Sequence, residues 1–151
     1  MNIGIELAPA LRQPKIIVEE KRKNVVNDVP NVILTLKNKE SLVITSDAYH
    51  GIIMGREMYR CVFCKMEIEL NSKSKELHKN IAKHKKILED YPHLEDFGQN
   101  LIRKMDKSSY YCTLCTVIVS SMLVFRHTSS ESHIQQLKRA ISKSSTYTPS
   151  Q

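Results

Sequence analysis

All four cysteines and four of the six histidines fall into two copies of one spacing. Cys61, Cys64, His78 and His84 read C-x2-C-x13-H-x5-H, and Cys112, Cys115, His127 and His133 read C-x2-C-x11-H-x5-H. Two thiolates two residues apart in a tight turn grip one face of a tetrahedral ion, and two imidazoles from a following helix close the other. The cysteine pairs are offset by 51 positions and the first histidines by 49, so shortening one loop by two residues relates the copies. The double match points to two structural Zn2+ sites, each with four protein ligands. Such filled sites leave no open position for an activated water, and no other catalytic constellation competes, so the chain reads as a non-enzyme. His50 and His93 fall outside both sets and read as surface or packing residues. Two disulfides would ignore the paired histidines, and one four-cysteine site would leave both histidine pairs idle.

Histidines six apart lie ~120° apart around an ideal helix, so each ligand-bearing helix has to bend between its two histidines. Asn80 in the first copy and Thr128, Ser129 and Ser130 in the second are weak helix formers placed to allow it. The fold class expected is a set of small α+β zinc-stabilised modules: two ββα-like fingers joined by a helical connector and preceded by a short β-hairpin or three-stranded unit.

In chain order, residues 1–28 mix short apolar pieces with a charged run and read as a weakly ordered segment. Residues 29–57 form a short β unit packing on the first finger: Val32, Leu34 and Leu36 alternate with Ile33 and Thr35, Lys37 to Glu40 make a turn, and Leu42 to Thr45 return. Ile52 to Met54 offer a third short strand. The first finger covers 58–91, with Leu77, Ile81, His84 and Leu88 forming an inner stripe on its helix. Residues 92–108 read as an amphipathic helical connector through Leu94, Phe97, Leu101, Ile102 and Met105, since Gly/Ser-rich linker composition is lacking. The second, more apolar finger covers 109–143, and 144–151 read as a disordered tail.

Low aromatic content and the lack of tryptophan leave modules of this size short of core, and zinc supplies what burial does not. A structural zinc site contributes roughly 10–16 kcal/mol in finger peptides, so folding is expected to require the metal. No apolar run approaches the ~18 residues of a membrane span, and a soluble, intracellular protein with no small-molecule substrate is expected.

The formal net charge of +7 is uneven. Residues 1–50 are net +1, 51–107 net +3 and 108–151 net +3. Lys73, Lys75, Lys79, Lys83, Lys85 and Lys86 stand against the single Glu76, net +5 over fourteen residues, and are the candidate phosphate contacts. A lysine-rich solvated helix face is the alternative for the same residues.

The segments CVFCKMEIELNSKSKELHKNIAKH and CTLCTVIVSSMLVFRHTSSESH resemble matrin-type two-Cys two-His zinc fingers, found in double-stranded-RNA-binding proteins and several splicing factors. Tyr111 matches the aromatic that often precedes the first cysteine in that family. Where family members often carry glycine midway between the histidines, this chain has Ile81 and Ser130, and its second finger lacks the flanking lysines. The resemblance implies a compact ββα-like unit and RNA, duplex or structured, as partner. A nuclear nucleic-acid-binding adaptor is therefore the leading expectation, with the cytoplasm as alternative location. The second is a protein–protein interaction module of a nuclear regulatory complex using the apolar second finger and the β unit. Base-specific DNA reading comes third, because 27 residues between His84 and Cys112 do not fit a three-base-pair stride.

Overall fold

The structure is a computed structural model that describes residues 15–17 and 30–146. The first sheet is antiparallel, in the order β1 (Lys15–Ile17), β2 (Asn31–Thr35) and β3 (Ser41–Thr45). Its hairpin follows the period-two pattern, since Val32 and Leu34 are buried opposite Ile44 and Leu42 while Ile33 and Thr35 are half-buried. The Lys37–Glu40 turn closes through Leu36 N donating to Glu40 O, with Lys39 left-handed at φ 73°. Residues 1–28 were expected to be weakly ordered. Lys15–Ile17 instead pair with β2, and the rest of that segment lies outside the described residues.

After the hairpin come α1 (Ser46–His50), capped by the Thr45 hydroxyl, and β4 (Ile52–Met54). β4 does not extend the hairpin as expected. It pairs with β5 (Met58–Cys61), which pairs with β6 (Met66–Glu69), so the first finger holds a three-stranded sheet of its own. The helical part is broken as its spacing requires, into α2 (Ser72–Lys79) and α3 (Ala82–Asp90), with Asn80 and Ile81 between.

The connector is the main departure. In place of an amphipathic helix there is a short 3-10 turn at Glu95–Asn100, kinked at Gly98 (φ 51°), then Leu101 in the left-handed region (φ 52°), then β7 (Ile102–Lys104). A helix cannot run through those two residues, and Leu101 and Ile102 are fully buried by a turn and a strand instead. β7 pairs with β8 (Ser109–Cys112), and β8 with β9 (Val117–Ser120). A 3-10 turn at Ser121–Leu123, α4 (Val124–Thr128) and α5 (Glu131–Thr146) complete the second finger. The break falls at Ser129 and Ser130, and the helix runs into the expected tail as far as Thr146.

The two Cys2His2 segments are thus a structural repeat longer than the Cys/His spacing. Ile52 stands opposite Cys61 as Ile102 stands opposite Cys112. Val62 N donates to Gly51 O, and Thr113 N to Leu101 O, both at 3.0 Å. Gly51 (φ 71°) and Leu101 take the same left-handed turn, and so do Lys65 (φ 57°) and Thr116 (φ 55°) just after each second cysteine.

Most of the pieces share one core, and Ile102, Cys112 and Val124 form a smaller cluster beside it. Ala140 is buried and Leu137 partly so on α5, and both pack with the buried hairpin residues Val32, Leu34, Leu42 and Ile44, so the last helix closes against the first sheet. Between the fingers lies the buried Arg103, whose guanidinium donates to Tyr91 O (2.7 Å) and Tyr49 O (3.2 Å) and stacks 4.9 Å above the Tyr49 ring. The Tyr111 hydroxyl donates to Ala48 O at 2.7 Å, and Phe63 meets the Tyr111 ring edge-on. Among the described residues no helix is long and apolar enough to cross a membrane.

Candidate metal centres

Each cluster is assembled from a strand, a turn and two helices. Cys61 ends β5, the turn over residues 62–65 sets Cys64 beside it, and Cys64 N donates to Cys61 Sγ. His78 comes from α2 and His84 from α3; without the break at Asn80 and Ile81 the two rings would point away from each other. Cys112, Cys115, His127 and His133 repeat this on β8, the Thr116 reversal, α4 and α5. In each group the four donor atoms lie within 4.8 Å of one another, a grouping that could hold a metal ion, and all four cysteines are free thiols.

Finer geometry fits a tetrahedral ion. His84 Nδ1 lies 3.6 Å from Cys61 Sγ and 3.5 Å from Cys64 Sγ, and His133 Nδ1 lies 3.5 Å from Cys112 Sγ and 3.6 Å from Cys115 Sγ. Metal–sulfur bonds of ~2.3 Å and metal–nitrogen bonds of ~2.0 Å at the tetrahedral angle put sulfur and nitrogen about 3.5 Å apart. The paired rings meet edge-on, with centroids 4.7 Å apart for His78 and His84 and 4.9 Å for His127 and His133. His78 Nε2 and His127 Nε2 are buried with no hydrogen-bond partner among the described residues. A buried polar atom left this way costs about 1–3 kcal/mol, and a cation shared with the thiols satisfies it.

The electrostatics point the same way. Burial, reinforced by the Cys61 thiol, pushes the Cys64 thiol up to about 12, and burial pushes Cys112 to about 12 as well. Burial, then the neighbouring His78, lowers His84 to about 4; burial likewise lowers His78, His127 and His133. By themselves these groups would be neutral. A bound cation makes thiolates favourable in the same space, with release of protons.

Two residues outside the ligand pattern touch it. His84 Nε2 is 3.0 Å from Nδ1 of His50, which is buried, and His133 Nε2 is 2.8 Å from Asn100 Oδ1. His50 read as a surface or packing residue from sequence, and Asn100 drew no notice. The signal that finds both is the longer repeat: each stands two residues before the strand that flanks the cysteine strand. His93, the other histidine outside the ligand sets, bonds Thr113 Oγ1 through Nε2 at 2.8 Å.

The lysine face needs correcting. Lys73, Lys83, Lys85 and Lys86 are exposed, but Lys75 and Lys79 are buried. Lys75 Nζ sits 2.9 Å from Asp47 Oδ2 and 4.8 Å from the centre of the Tyr59 ring. Lys79 Nζ is 2.8 Å from Asp47 Oδ1 and donates to Ser46 Oγ and Glu76 Oε2, both at 2.9 Å. These two lysines clasp α1 to α2 and are not free for a phosphate. The inner stripe is also revised: His84 and Leu88 are buried, whereas Leu77 and Ile81 are 61% and 39% exposed. The buried side of α2 is taken by Lys75, His78 and Lys79 instead.

On the second finger an apolar surface faces outward, with Ile118 on β9 51% exposed, Met122 89% and Phe125 73%, the last stacked on Phe97. The chain matches no family model, no curated protein and no solved structure.

Proposed function

We propose that this chain is a zinc-stabilised nucleic-acid-binding adaptor. Each Cys2His2 group holds one structural Zn2+, and the first finger offers Lys73, Lys83, Lys85 and Lys86 to the phosphates of duplex or structured RNA. The observation that carries the reading is the pair of closed N2S2 donor sets, one of them bordered by these four exposed lysines. Two thiolates and two imidazoles at tetrahedral separations are the donor set of structural zinc. The likeness of both segments to matrin-type fingers favours RNA over DNA, and a nuclear location follows from that likeness. Four ligands per ion leave no vacancy for hydrolytic chemistry, so the chain binds and does not catalyse.

Lys75 and Lys79 have no part in the contact, being spent on Asp47. Binding is therefore electrostatic and modest, with each phosphate contact steepening the logarithmic salt dependence by about 0.9 on duplex and about 0.7 on single strands. The test is a salt titration of binding by the zinc-loaded chain to duplex RNA, duplex DNA and single strands, beside a variant with Lys73, Lys83, Lys85 and Lys86 changed to glutamine. The reading expects tightest binding to duplex RNA and a shallower slope for the variant. Weak binding that the four glutamines leave unchanged would instead support a second reading, a protein-docking module. That reading rests on the outward face of Ile118, Met122 and Phe125.

A further inference from the structure

We propose that His50 and Asn100 are positioning residues of the two metal centres, each fixing its partner histidine as an Nδ1 ligand, so that each ion is held by one Nε2 and one Nδ1. The inference rests on the metal-binding reading above and concerns which nitrogen is used and what enforces it.

Asn100 decides the second centre. Its Nδ2 donates to Phe97 O at 3.0 Å, so its Oδ1 is the atom turned to His133 Nε2 at 2.8 Å. An amide oxygen only accepts, so the proton of neutral His133 sits on Nε2 and its lone pair on Nδ1. That lone pair faces the Cys112 and Cys115 sulfurs. In the first centre the same logic runs through an imidazole. His84 Nδ1 faces Cys61 and Cys64, so Nε2 carries the proton and donates to His50 Nδ1 at 3.0 Å. The other histidine of each pair presents its buried, unpartnered Nε2 to the cluster.

The placement of these two residues is a property of the repeat. His50 precedes Gly51 and β4; Asn100 precedes Leu101 and β7, and each ends a helical turn that reverses through a left-handed residue. The flanking strand of each finger therefore does two things: it completes the sheet opposite the first cysteine, and it delivers a hydrogen-bond acceptor behind the last histidine. An outer partner of this kind holds the tautomer and ring orientation of a ligand and raises its basicity, and its loss lowers metal affinity about 10- to 100-fold.

The test uses the full chain loaded with zinc alone. Long-range proton–nitrogen correlations of the imidazoles are expected to show His84 and His133 bound through Nδ1 and protonated at Nε2, with His78 and His127 bound through Nε2. Competition against a chromophoric chelator is expected to show one of two sites weakened about 10- to 100-fold in His50→Leu, and the other in Asn100→Leu. His50→Asn, which places at the first centre the acceptor used by the second, is expected to restore most of the lost affinity. Ligation of all four histidines through Nε2 overturns the proposal even if the leucine variants fail to fold. So does unchanged affinity in both leucine variants, or an asparagine at 50 no better than leucine. A parent chain that takes up no zinc sinks the metal reading and this one with it; zinc uptake without the tautomer pattern sinks this one alone.

Discussion

Asp47→Ala removes the carboxylate that two buried lysines share. The carboxylate is the shared counter-ion of two ammonium groups whose side chains are 6% and 4% exposed, against 20% for Asp47 itself. Burial by itself would lower Lys75, but its hydrogen bond and charge contact with Asp47 outweigh that and hold it above the ordinary lysine value. Asp47 thus favours the charged form of Lys75 against its burial. Without it Lys79 keeps Ser46 and Glu76, while Lys75 is left against the Tyr59 ring. Stranding one buried charge costs about 3–5 kcal/mol, and loss of the acidic group from the first turn of α1 adds about 0.3–1 kcal/mol. Against a domain stability of about 5–15 kcal/mol this is a large fraction. Urea unfolding of the metal-loaded protein should show it, with Asp90→Ala as control, since the Lys86–Asp90 pair is exposed on both sides and belongs to a class that contributes little. A triple variant, Asp47→Leu with Lys75→Met and Lys79→Met, should recover most of the loss, because it leaves no buried charge unpaired; Glu76, which loses Lys79, is 45% exposed. A cost for Asp47→Ala within about 1 kcal/mol of the control would refute the clasp as a structural element.

Three further outcomes follow from other contacts. Arg103→Met leaves the Tyr49 and Tyr91 carbonyls unpaired between the fingers and should cost about 2–4 kcal/mol in the same unfolding assay. Gly51→Ala places a Cβ 2.4 Å from the Phe63 ring at a backbone φ of 71°, and a fall of about 1–3 kcal/mol is expected. Burial, reinforced by Arg103, lowers His93 well below its usual value, so its contribution is present above pH ~6.5 and is lost as pH falls below that. His93→Gln should remove up to one proton from the acid limb, about 1.4 kcal/mol per pH unit, when stability is measured between pH 7 and 5.

The two Cys2His2 groups, which could hold a metal ion, were legible because a set of donors that converges on one point has a regular spacing in the sequence. The breaks near Asn80 and at Ser129 and Ser130 followed from helix geometry together with weak helix formers, and the β2–β3 hairpin from the alternation in β2 and the β-branched run that returns in β3. What local pattern could not reveal was tertiary pairing. Ile52–Met54 looked continuous with the hairpin, yet it completes the first finger. The apolar residues of 94–105 fit a helical stripe as well as they fit a turn and a strand, and only the left-handed backbone at Gly98 and Leu101 decides between them. Lys75 and Lys79 read as exposed candidate phosphate contacts because their partner, Asp47, lies 28 and 32 positions earlier, on α1. His50 and Asn100 were hidden for a related reason: one is an imidazole and the other an amide, so residue identity concealed an equivalence that strand register displays.

Metal content tests the central claim most directly. Mass spectrometry of the purified chain under native conditions, followed by chelation monitored by circular dichroism, should find two zinc ions per chain and a loss of folded structure as they are withdrawn. A chain that carries no stoichiometric metal, or one whose spectrum is unchanged after complete chelation, would contradict it.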